Sequence, residues 1–488
     1  MSSQKYVMVA KTFAGLENVL MEELIEIGAS DVEVLIRGVK FSGSKEILYK
    51  ANFCCRTALR ILVIIKEFKV KNANDLYNGV RSVEWPDYFD IQQTFAITST
   101  VNSEAFNNSM FVSLKTKDAI VDNFRAKFGK RPSVNAENPE IRINVHASSD
   151  EVSLSLDSSG ESLHKRGYRV GQNEASMSEV LAAGILKIAG WKGQCDFYDP
   201  MCGSGTLPIE AALIARNIPP GIFRKAFAFE KWKDFDEDIF DKVYNADYEK
   251  EFTHNIYASD IAPVNVKISS ENARNAGLKK DIQFSVADFA TLKPVGENGI
   301  LVMNPPYGQR MNDRAVEPIY NMIGTSLKNN FRGINTWVIS SSEEGFKSIG
   351  LKPSARIKLF NGALECELRN FEMYDGSKKA SKQGEGRRSY SDNSEQRGNF
   401  RRPPLRQDNN DRRRSGSGSE EGRNGRRERT GPRPDRSGYD KRNQENNPHE
   451  RKPFRATLGN ESNNRPRRLR NSENPKRSFN NTEKNDND

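Results

Sequence analysis

Residues 299–308 read Gly-Ile-Leu-Val-Met-Asn-Pro-Pro-Tyr-Gly, and this stretch decides the expected fold. The apolar run 299–303 is typical of a buried strand. Pro305 and Pro306 cannot continue a strand ladder, because neither has an N–H group to donate. The strand must therefore stop here, and its carboxyl end carries an amide, a rigid turn and an aromatic ring. In open α/β sheets, ligands bind at this end of the strands.

The groups at this strand end suit a planar base that carries an exocyclic amine. The side-chain oxygen of Asn304 and the carbonyl of Pro305 can each accept one hydrogen of an NH2 group. The ring of Tyr307 can stack on the base. Two acceptors on one amine orient its nitrogen for attack on an electrophile. The alternative interpretation is a turn that packs a tyrosine and has no catalytic role.

A strand, a turn and a helix in residues 196–215 predict a cofactor site. The turn, residues 199–206, reads Asp-Pro-Met-Cys-Gly-Ser-Gly-Thr. Gly203 and Gly205 lack side chains, so a ligand can approach the backbone closely. The helix that follows offers unpaired N–H groups and the positive end of its dipole. A dinucleotide-binding turn would need a third glycine where this chain has Pro208, so a Rossmann dehydrogenase is disfavoured.

Two further strands are predicted to end in acidic residues. Residues 255–260 form one strand, which ends at Asp260, and residues 282–289 form the next, with Asp288 at its tip and Phe289 beside it. A single aspartate at a strand end is usually a turn former. A glycine turn and two acidic strand ends, in this order before the Asn-Pro-Pro-Tyr segment, indicate one ligand site across neighbouring strands.

These motifs carry a resemblance to a known family. The Asn-Pro-Pro-Tyr segment resembles the fourth motif of class I S-adenosylmethionine-dependent methyltransferases that modify amino groups of bases, and residues 199–206 resemble their cofactor-binding motif. Residues 1–375 resemble the THUMP-domain rRNA guanine-N2 methyltransferases. The resemblance implies S-adenosylmethionine as the cofactor and the N2 amine of a guanine as the acceptor, with large-subunit ribosomal RNA favoured as the substrate.

The resemblance also assigns roles to individual residues. The residues expected to act in catalysis are Asn304, Pro305, Pro306 and Tyr307. The residues expected to bind the cofactor are Asp199, Cys202, Gly203, Ser204, Gly205, Thr206, Asp260, Asp288 and Phe289, with Asp260 at the ribose hydroxyls and Asp288 at the adenine.

Three alternatives stay open on the sequence alone. Transfer RNA is a second candidate substrate for the same reaction. Adenine also carries an exocyclic NH2 group, so the strand-end motif allows an adenine-N6 nucleic-acid methyltransferase. A noncatalytic RNA-binding factor in ribosome assembly would explain the basic tail, although not the chain of cofactor motifs.

The chain before residue 161 predicts two α+β regions, a ferredoxin-like region at 1–65 and a region at 66–160. The second region resembles a THUMP domain, a module that the family uses to grip RNA, while a structural or interface domain is the alternative. The elements expected from hydrophobic periodicity are strands at 6–10, 32–36, 93–98, 140–145 and 151–156 and helices at 15–25, 56–60 and 116–128.

A basic and aromatic junction, residues 164–169, leads into the catalytic region. Cations in such a segment can contact phosphates, and a tyrosine can stack on a base. The residues expected to bind RNA are Lys165, Arg166, Tyr168 and Arg169. A short solvated linker is the alternative interpretation.

The catalytic region, residues 161–375, is predicted to end in an antiparallel hairpin. Residues 354–359 and 365–373 read as strands on either side of Asn361-Gly362, a pair typical of a two-residue turn. The expected fold is therefore α/β, with a Rossmann-like class I methyltransferase sheet that closes in this hairpin. The α+β ferredoxin-like and THUMP regions precede it, and a disordered tail follows.

The tail, residues 376–488, is predicted to be disordered because it has too few apolar residues to form a core. It contains 30 Lys+Arg and 17 Asp+Glu, a net charge of +13. The whole chain has a net charge of +10, so the basic character belongs to the tail. Its arginine clusters suit nonspecific RNA contact through counterion release, and a purely solubilising role is the alternative.

Cysteine and histidine usage limits the class of protein. The five cysteines are odd in number and form no Cys-x-x-Cys pair, which favours reduced thiols in a cytoplasmic protein over a disulfide framework. The four histidines are scattered, so no metal site is expected. No apolar run is long enough for a signal peptide or a membrane span. The sequence leaves the oligomeric state open.

Overall fold

The computed structural model describes residues 5–171, 176–306 and 313–372. Two seven-stranded sheets organise these residues. The tail that the sequence predicts to be disordered lies outside the described residues.

The first sheet contains seven strands in the order β2-β3-β1-β4-β7-β6-β5. All neighbouring strands pair antiparallel except β5 and β6, which are parallel. The elements of this half are β1 (Tyr6–Lys11), α1 (Glu17–Glu26), β2 (Ser30–Leu35), β3 (Gly38–Gly43), α2 (Lys45–Cys54), β4 (Arg60–Lys69), α3 (Ala73–Arg81), α4 (Trp85–Tyr88), β5 (Phe95–Asn102), α5 (Ser109–Phe128), β6 (Ile141–Ser148) and β7 (Glu151–Asp157).

Strand β4 joins the two regions that the sequence separates. It pairs with β1 on one side and with β7 on the other. The expected boundary between residues 65 and 66 falls inside this strand, so both regions share one sheet. Sequence patterns are local and do not reveal that one strand is used by both neighbours.

The expected helix through residues 56–60 is wrong. Helix α2 begins after Ser44, whose Oγ accepts a hydrogen bond from the backbone N–H of Ile47, and it ends at Cys54. The carboxylate of Glu23, on α1, accepts hydrogen bonds from the backbone N–H groups of Arg56 and Thr57. This contact holds the segment in a turn, and the β-branched run that follows forms β4.

The second sheet contains seven strands in the order β10-β9-β8-β11-β12-β14-β13. The first five are parallel, and β14 is antiparallel to both of its neighbours. The elements of this half are α6 (Glu179–Ile188), β8 (Asp196–Asp199), α7 (Thr206–Ala215), α8 (Glu237–Tyr244), β9 (Ile256–Asp260), α9 (Pro263–Asn275), β10 (Ile282–Val286), β11 (Gly299–Met303), α10 (Asp313–Asn330), β12 (Ile334–Ser340), α11 (Glu343–Ser348), β13 (Ala355–Asn361) and β14 (Leu364–Glu372).

This topology confirms the predicted class I methyltransferase sheet with its closing hairpin. Asn361 pairs with Leu364, so the two-residue loop consists of Gly362 and Ala363, one residue later than the expected turn. Gly362 has φ 68° at the first loop position, where a type II′ hairpin needs glycine. The strand order reverses between β8 and β11, which places a crevice at the carboxyl ends of these strands.

The aromatic insertion at residues 217–252 packs into the first half of the chain. Phe227, Phe229 and Phe240 belong to the hydrophobic core of the first sheet. Phe229 stacks on Tyr49 of α2, with 4.4 Å between the ring centroids. The insertion therefore fastens the second half of the chain to the first.

The helices of the described ranges include none that is both long and apolar enough to cross a membrane. Within the same ranges, no three His, Cys, Asp or Glu residues are grouped so that they could hold a metal ion. All five cysteines are free.

Candidate active site

A cavity of about 430 Å³ opens at the carboxyl ends of β8, β9 and β11, at the place where the strand order reverses. Its volume lies within the range of roughly 300–1,000 Å³ that is usual for ligand pockets. It brings together most of the residues that the sequence assigned to cofactor and substrate. Those that line it are Asp199, Cys202, Gly203, Ser204, Thr206, Asp260, Asp288, Phe289, Asn304 and Pro306.

Two assigned residues within the described ranges, Gly205 and Pro305, do not line the cavity. Gly205 lies beneath its wall, as the N-cap of α7. Pro305 is buried behind the strand end. Tyr307 lies outside the described residues, so its expected stacking on a base stays a prediction.

The glycine turn between β8 and α7 depends on left-handed backbone at two positions. Gly203 has φ 55° and Gly205 has φ 84°. A Cβ at Gly203 would meet no protein atom within 4 Å, whereas a Cβ at Gly205 would lie 2.2 Å from Oγ of Ser269 on α9. Gly203 therefore leaves space for a ligand, and Gly205 allows the close packing of α7 against α9.

Substitution of these two glycines is expected to affect different properties, cofactor affinity at Gly203 and protein stability at Gly205. We expect Gly203→Ala to weaken S-adenosylmethionine binding between about tenfold and a hundredfold, because the methyl group would occupy ligand space. We expect Gly205→Ala to lower the free energy of unfolding by about 1–3 kcal/mol through overpacking. Calorimetric titration and chemical unfolding of both variants measure the two effects. If Gly203→Ala binds the cofactor as wild type does, the turn is not the cofactor cradle.

Asp260, at the end of β9, holds the glycine turn in place. Its Oδ2 accepts a hydrogen bond from the backbone N–H of Gly203 at 3.0 Å. Its Oδ1 accepts from the backbone N–H of Ala262 at 2.9 Å and from the side-chain amide of Asn265 at 3.0 Å. The carboxylate thus organises the loops on both sides of the cavity, while it also lines the wall where ribose hydroxyls are expected.

Asp199, at the end of β8, is a buried carboxylate with one oxygen left free. Its Oδ1 accepts from the backbone N–H of Met201, and among the described residues its Oδ2 has no hydrogen-bond partner. Burial raises the pKa of Asp199 well above its usual value, and the nearby Asp260 carboxylate adds to this shift. An unpartnered buried carboxylate oxygen in a cavity wall fits a cationic ligand group, and the ammonium group of S-adenosylmethionine is one.

The raised pKa of Asp199 gives cofactor binding a pH dependence. The apo protein holds a proton on Asp199 at pH values where an ordinary carboxyl is ionised, and a bound ammonium group favours the ionised form. Binding then releases a proton, so affinity should rise with pH above the range in which an ordinary carboxyl titrates and below the titration of the cofactor's amino group. Affinity of the Asp199→Asn variant should be lower and independent of pH. Calorimetry across this range tests it, and a flat wild-type profile would count against the assignment.

The raised pKa of Asp199 also predicts that the stability of the cofactor-free protein falls as pH rises, whereas the cofactor affinity increases. A carboxyl whose pKa is higher in the folded state than in the unfolded state lowers stability as pH rises above the unfolded value. Without cofactor, Asp199→Asn should therefore unfold at a higher temperature than wild type near pH 7.

Asp288 and Phe289 follow β10 and line one side of the cavity. Oδ1 of Asp288 accepts from the backbone N–H of Ala290 at 2.9 Å. Phe289 is buried and lies against Phe331, with 5.0 Å between the ring centroids. Ile261 lines the same cavity, and 70% of its surface is exposed. The sequence analysis did not assign this residue to the site. The available signal was an apolar residue directly after an acidic strand end.

Asn304 directly follows β11 and lines the same cavity as the glycine turn. Its Oδ1 is inaccessible to solvent and has no hydrogen-bond partner among the described residues. A buried amide oxygen without a donor is costly, so the site favours a ligand that brings an N–H group.

The predicted RNA contacts of Arg166 and Tyr168 are wrong, because both side chains are fully buried. Nε of Arg166 lies 3.4 Å from Oε1 of Glu210, and the hydroxyl of Tyr168 donates to the same oxygen at 3.1 Å. Burial and the Glu210 carboxylate raise the pKa of Tyr168 well above its usual value. Glu210 is itself completely buried on α7, so the junction turns inward to supply its partners.

The other two junction cations differ in exposure. Lys165 is exposed and forms an ion pair with Glu161 at 3.2 Å. Arg169 is mostly buried and points to the glycine turn rather than to solvent. Of the four residues, only Lys165 presents a charge that RNA could reach from outside.

Family profiles match three parts of the chain. Residues 7–62 match an RlmL ferredoxin-like domain, residues 70–157 match a THUMP domain, and residues 166–370 match the RMKL-like methyltransferase domain.

Related proteins match across most of the folded part. A Synechocystis protein provisionally named an RNA methyltransferase is 38% identical over 364 residues, which cover 74% of this chain and 95% of that protein. Ribosomal RNA large subunit methyltransferase K/L of Psychromonas ingrahamii is 38% identical over 371 residues, which cover 74% of this chain. The chain spans 49% of the length of that second relative.

One similar protein has a crystal structure that contains S-adenosylhomocysteine, the product that S-adenosylmethionine leaves after methyl transfer. A provisionally named methyltransferase, crystallised with S-adenosylhomocysteine, is 32% identical with a TM-score of 0.69. The match covers 77% of this chain and all of that one. The chain belongs to the RMKL-like methyltransferase family and is an S-adenosylmethionine-dependent methyltransferase.

Proposed function

We propose that this chain transfers the methyl group of S-adenosylmethionine to the exocyclic N2 amine of a guanine in large-subunit ribosomal RNA. The observation that carries the proposal is the buried Oδ1 of Asn304 in the cavity wall, which has no hydrogen-bond partner among residues 5–171, 176–306 and 313–372. The acceptor for an amine and the turn for the methyl donor thus share one space of about 430 Å³.

The reaction needs orientation more than acid or base strength. Bound S-adenosylmethionine supplies an activated methyl group on sulfur and leaves as a neutral thioether. Asn304 and the carbonyl of Pro305 accept the two amine hydrogens and aim the nitrogen, while Tyr307 is proposed to hold the base after it has left its stack. The proton is lost after transfer, when the nitrogen has become acidic, so no strong base is required.

Several features favour RNA as the substrate. The chain contains a match to a THUMP domain, and one relative is named a methyltransferase of large-subunit ribosomal RNA. We propose that the regions 1–65 and 66–160 hold the RNA and that 161–375 carries out the transfer. Lys165 remains the proposed phosphate contact at the junction, and the basic tail is proposed to add nonspecific contacts. We place this activity in the cytoplasm, where free thiols are stable.

A strain that lacks the gene tests this function. Nucleosides from large-subunit RNA, small-subunit RNA and transfer RNA are separated and compared by mass spectrometry. We expect N2-methylguanosine to fall in large-subunit RNA only and to return with the wild-type gene but not with Asn304→Ala. A loss confined to transfer RNA, or a loss of N6-methyladenosine, would contradict the proposal and favour the corresponding alternative.

A further inference from the structure

Arg169 reaches from the junction into the glycine turn that binds the cofactor. Its Nη1 donates to Oγ of Ser204 at 2.9 Å, and its Nη2 donates to Oγ1 of Thr206 at 2.9 Å. Its Nε donates to the carboxylate of Glu179 at 2.9 Å, and Nη2 also contacts the carbonyl of Met177 at 3.3 Å. Four hydrogen bonds therefore fix the guanidinium directly behind the turn.

A guanidinium has only donors, and this property determines how the two hydroxyl groups act. Ser204 and Thr206 must each accept from Arg169, so the one proton of each hydroxyl is directed elsewhere. Both residues line the cofactor cavity. Ser176 lies 3.0 Å from Oγ of Ser204 and competes for that proton, whereas among the described residues no acceptor contacts Oγ1 of Thr206.

The end of the cavity at this point is suited to an anion. The N-terminus of α7 begins here, and its N-cap, Gly205, has no side chain that could cap the free N–H groups. The positive end of the helix dipole, two hydroxyl donors and the charge of Arg169 behind them all favour a negative ligand group. The carboxylate of the methionine moiety is the anionic group that S-adenosylmethionine brings.

Asn272, fully buried on α9, fixes the position of Arg169 relative to the turn. Its Oδ1 accepts from the backbone N–H of Val170 at 2.8 Å, and its Nδ2 donates to the carbonyl of Ser204 at 2.9 Å. One side chain thus ties the backbone beside Arg169 to the backbone of the glycine turn.

We propose that Arg169 is a positioning residue for the cofactor, which makes the hydroxyls of Ser204 and Thr206 donate to the carboxylate of S-adenosylmethionine. The junction, expected from its sequence to bind RNA, serves at this position to build the cofactor site. The proposal rests on the cofactor site of the methyltransferase and not on the identity of the methyl acceptor.

Two ligands that differ in the carboxylate test the proposal. S-adenosylhomocysteine contains the amino-acid moiety, whereas 5′-methylthioadenosine lacks it and keeps the adenosine and the sulfur. In the full-length protein, we expect Arg169→Met to weaken S-adenosylhomocysteine binding about tenfold or more, which is the effect of losing a charge-assisted contact. The affinity for 5′-methylthioadenosine should stay within about twofold of wild type. Calorimetric titration measures both.

Lys165→Met is the matched control, because it removes an exposed cation of the same junction that does not line the cofactor cavity. It should leave both affinities unchanged. If Arg169→Met fails to fold, Arg169→Lys carries the same comparison, since lysine keeps the charge but loses the fork of donors. The same selective loss is then expected at a smaller size.

Two results would overturn the proposal. An equal loss of affinity for both ligands means that Arg169 only supports the fold, and an unchanged affinity for S-adenosylhomocysteine means that it does not act on the carboxylate end. Either result leaves the proposed function standing as long as wild type still methylates RNA. A wild type that binds S-adenosylhomocysteine but methylates no RNA would instead refute the proposed function alone.

Discussion

Asn304→Ala is expected to slow methyl transfer by about a hundredfold to a thousandfold, the usual cost of removing one preorganised polar contact at a reacting group. The physical reason is orientation, because the amine loses the acceptor that aims its lone pair at the methyl group. The affinity for S-adenosylmethionine should change by no more than about twofold, since the turn and Asp260 are untouched. Single-turnover rates with saturating cofactor, together with calorimetric titration, separate the two effects.

Asp260→Ala is the control for this experiment. The aspartate accepts from the backbone N–H of Gly203 and lines the cofactor wall, so its loss should act mainly on cofactor affinity. Near-saturating cofactor should restore part of the rate in this variant but none of it in Asn304→Ala. Equal losses of cofactor affinity in both variants would refute the separation of roles between β11 and β9.

Glu210→Leu is expected to lower the free energy of unfolding by about 3–5 kcal/mol, because it leaves the charge of Arg166 buried and unpaired. The side chains of Arg166 and Glu210 are 1% and 0% exposed, so water cannot replace the lost partner. Arg166→Met should lower the free energy of unfolding by a similar amount, since it leaves the Glu210 carboxylate buried and unpaired. Chemical unfolding of the full-length protein measures both.

The double variant with Arg166→Met and Glu210→Leu decides between a paired charge and two independent packing defects. With both charges removed, the double variant should regain more than half of the free energy of unfolding that either single variant loses. Losses that simply add in the double variant would show that the ion pair is not the cause. This outcome would also remove the explanation for the inward turn of the junction.

The sequence predicted which glycine turn and which strand ends meet at one cavity, because these signals are local. The glycine turn at residues 199–206 lies between a strand and a helix that the chain specifies within twenty or so residues. Acidic strand ends at Asp260 and Asp288 fall at one edge, because parallel strands align their carboxyl ends. The hairpin after β13 followed from a two-residue turn signal, with an error of one position.

The junction could not be interpreted correctly from local pattern, since a run of cations and a tyrosine looks the same whether it faces solvent or a buried acid. The deciding partner, Glu210, lies more than forty residues from Arg166 and Tyr168. One signal was available, because an acidic residue inside an otherwise apolar helix requires a cation. The sequence of α7 contains such a residue in the stretch Leu-Pro-Ile-Glu-Ala-Ala-Leu.

Long-range packing also explains the wrong helix prediction at residues 56–60 and the position of the aromatic insertion. The segment after Cys54 is a turn because a carboxylate on α1, about thirty residues earlier, binds its backbone. The aromatic rings of the insertion at 217–252 join the hydrophobic core of the first sheet, which also contains Tyr49 and Phe53. Neither partner can be identified from residues near the segment itself.

The proposed reaction requires that an amine acceptor at the end of β11 and a methyl donor at the glycine turn meet in one cavity. Its most direct test is to incubate the purified full-length protein with S-adenosylmethionine that carries a CD3 group and with large-subunit RNA from a strain lacking the gene. The RNA is then digested and its nucleosides are analysed by mass spectrometry. We expect the label in N2-methylguanosine, and we expect none there in the Asn304→Ala reaction. Label in N6-methyladenosine, or no label in any base amine, would contradict it.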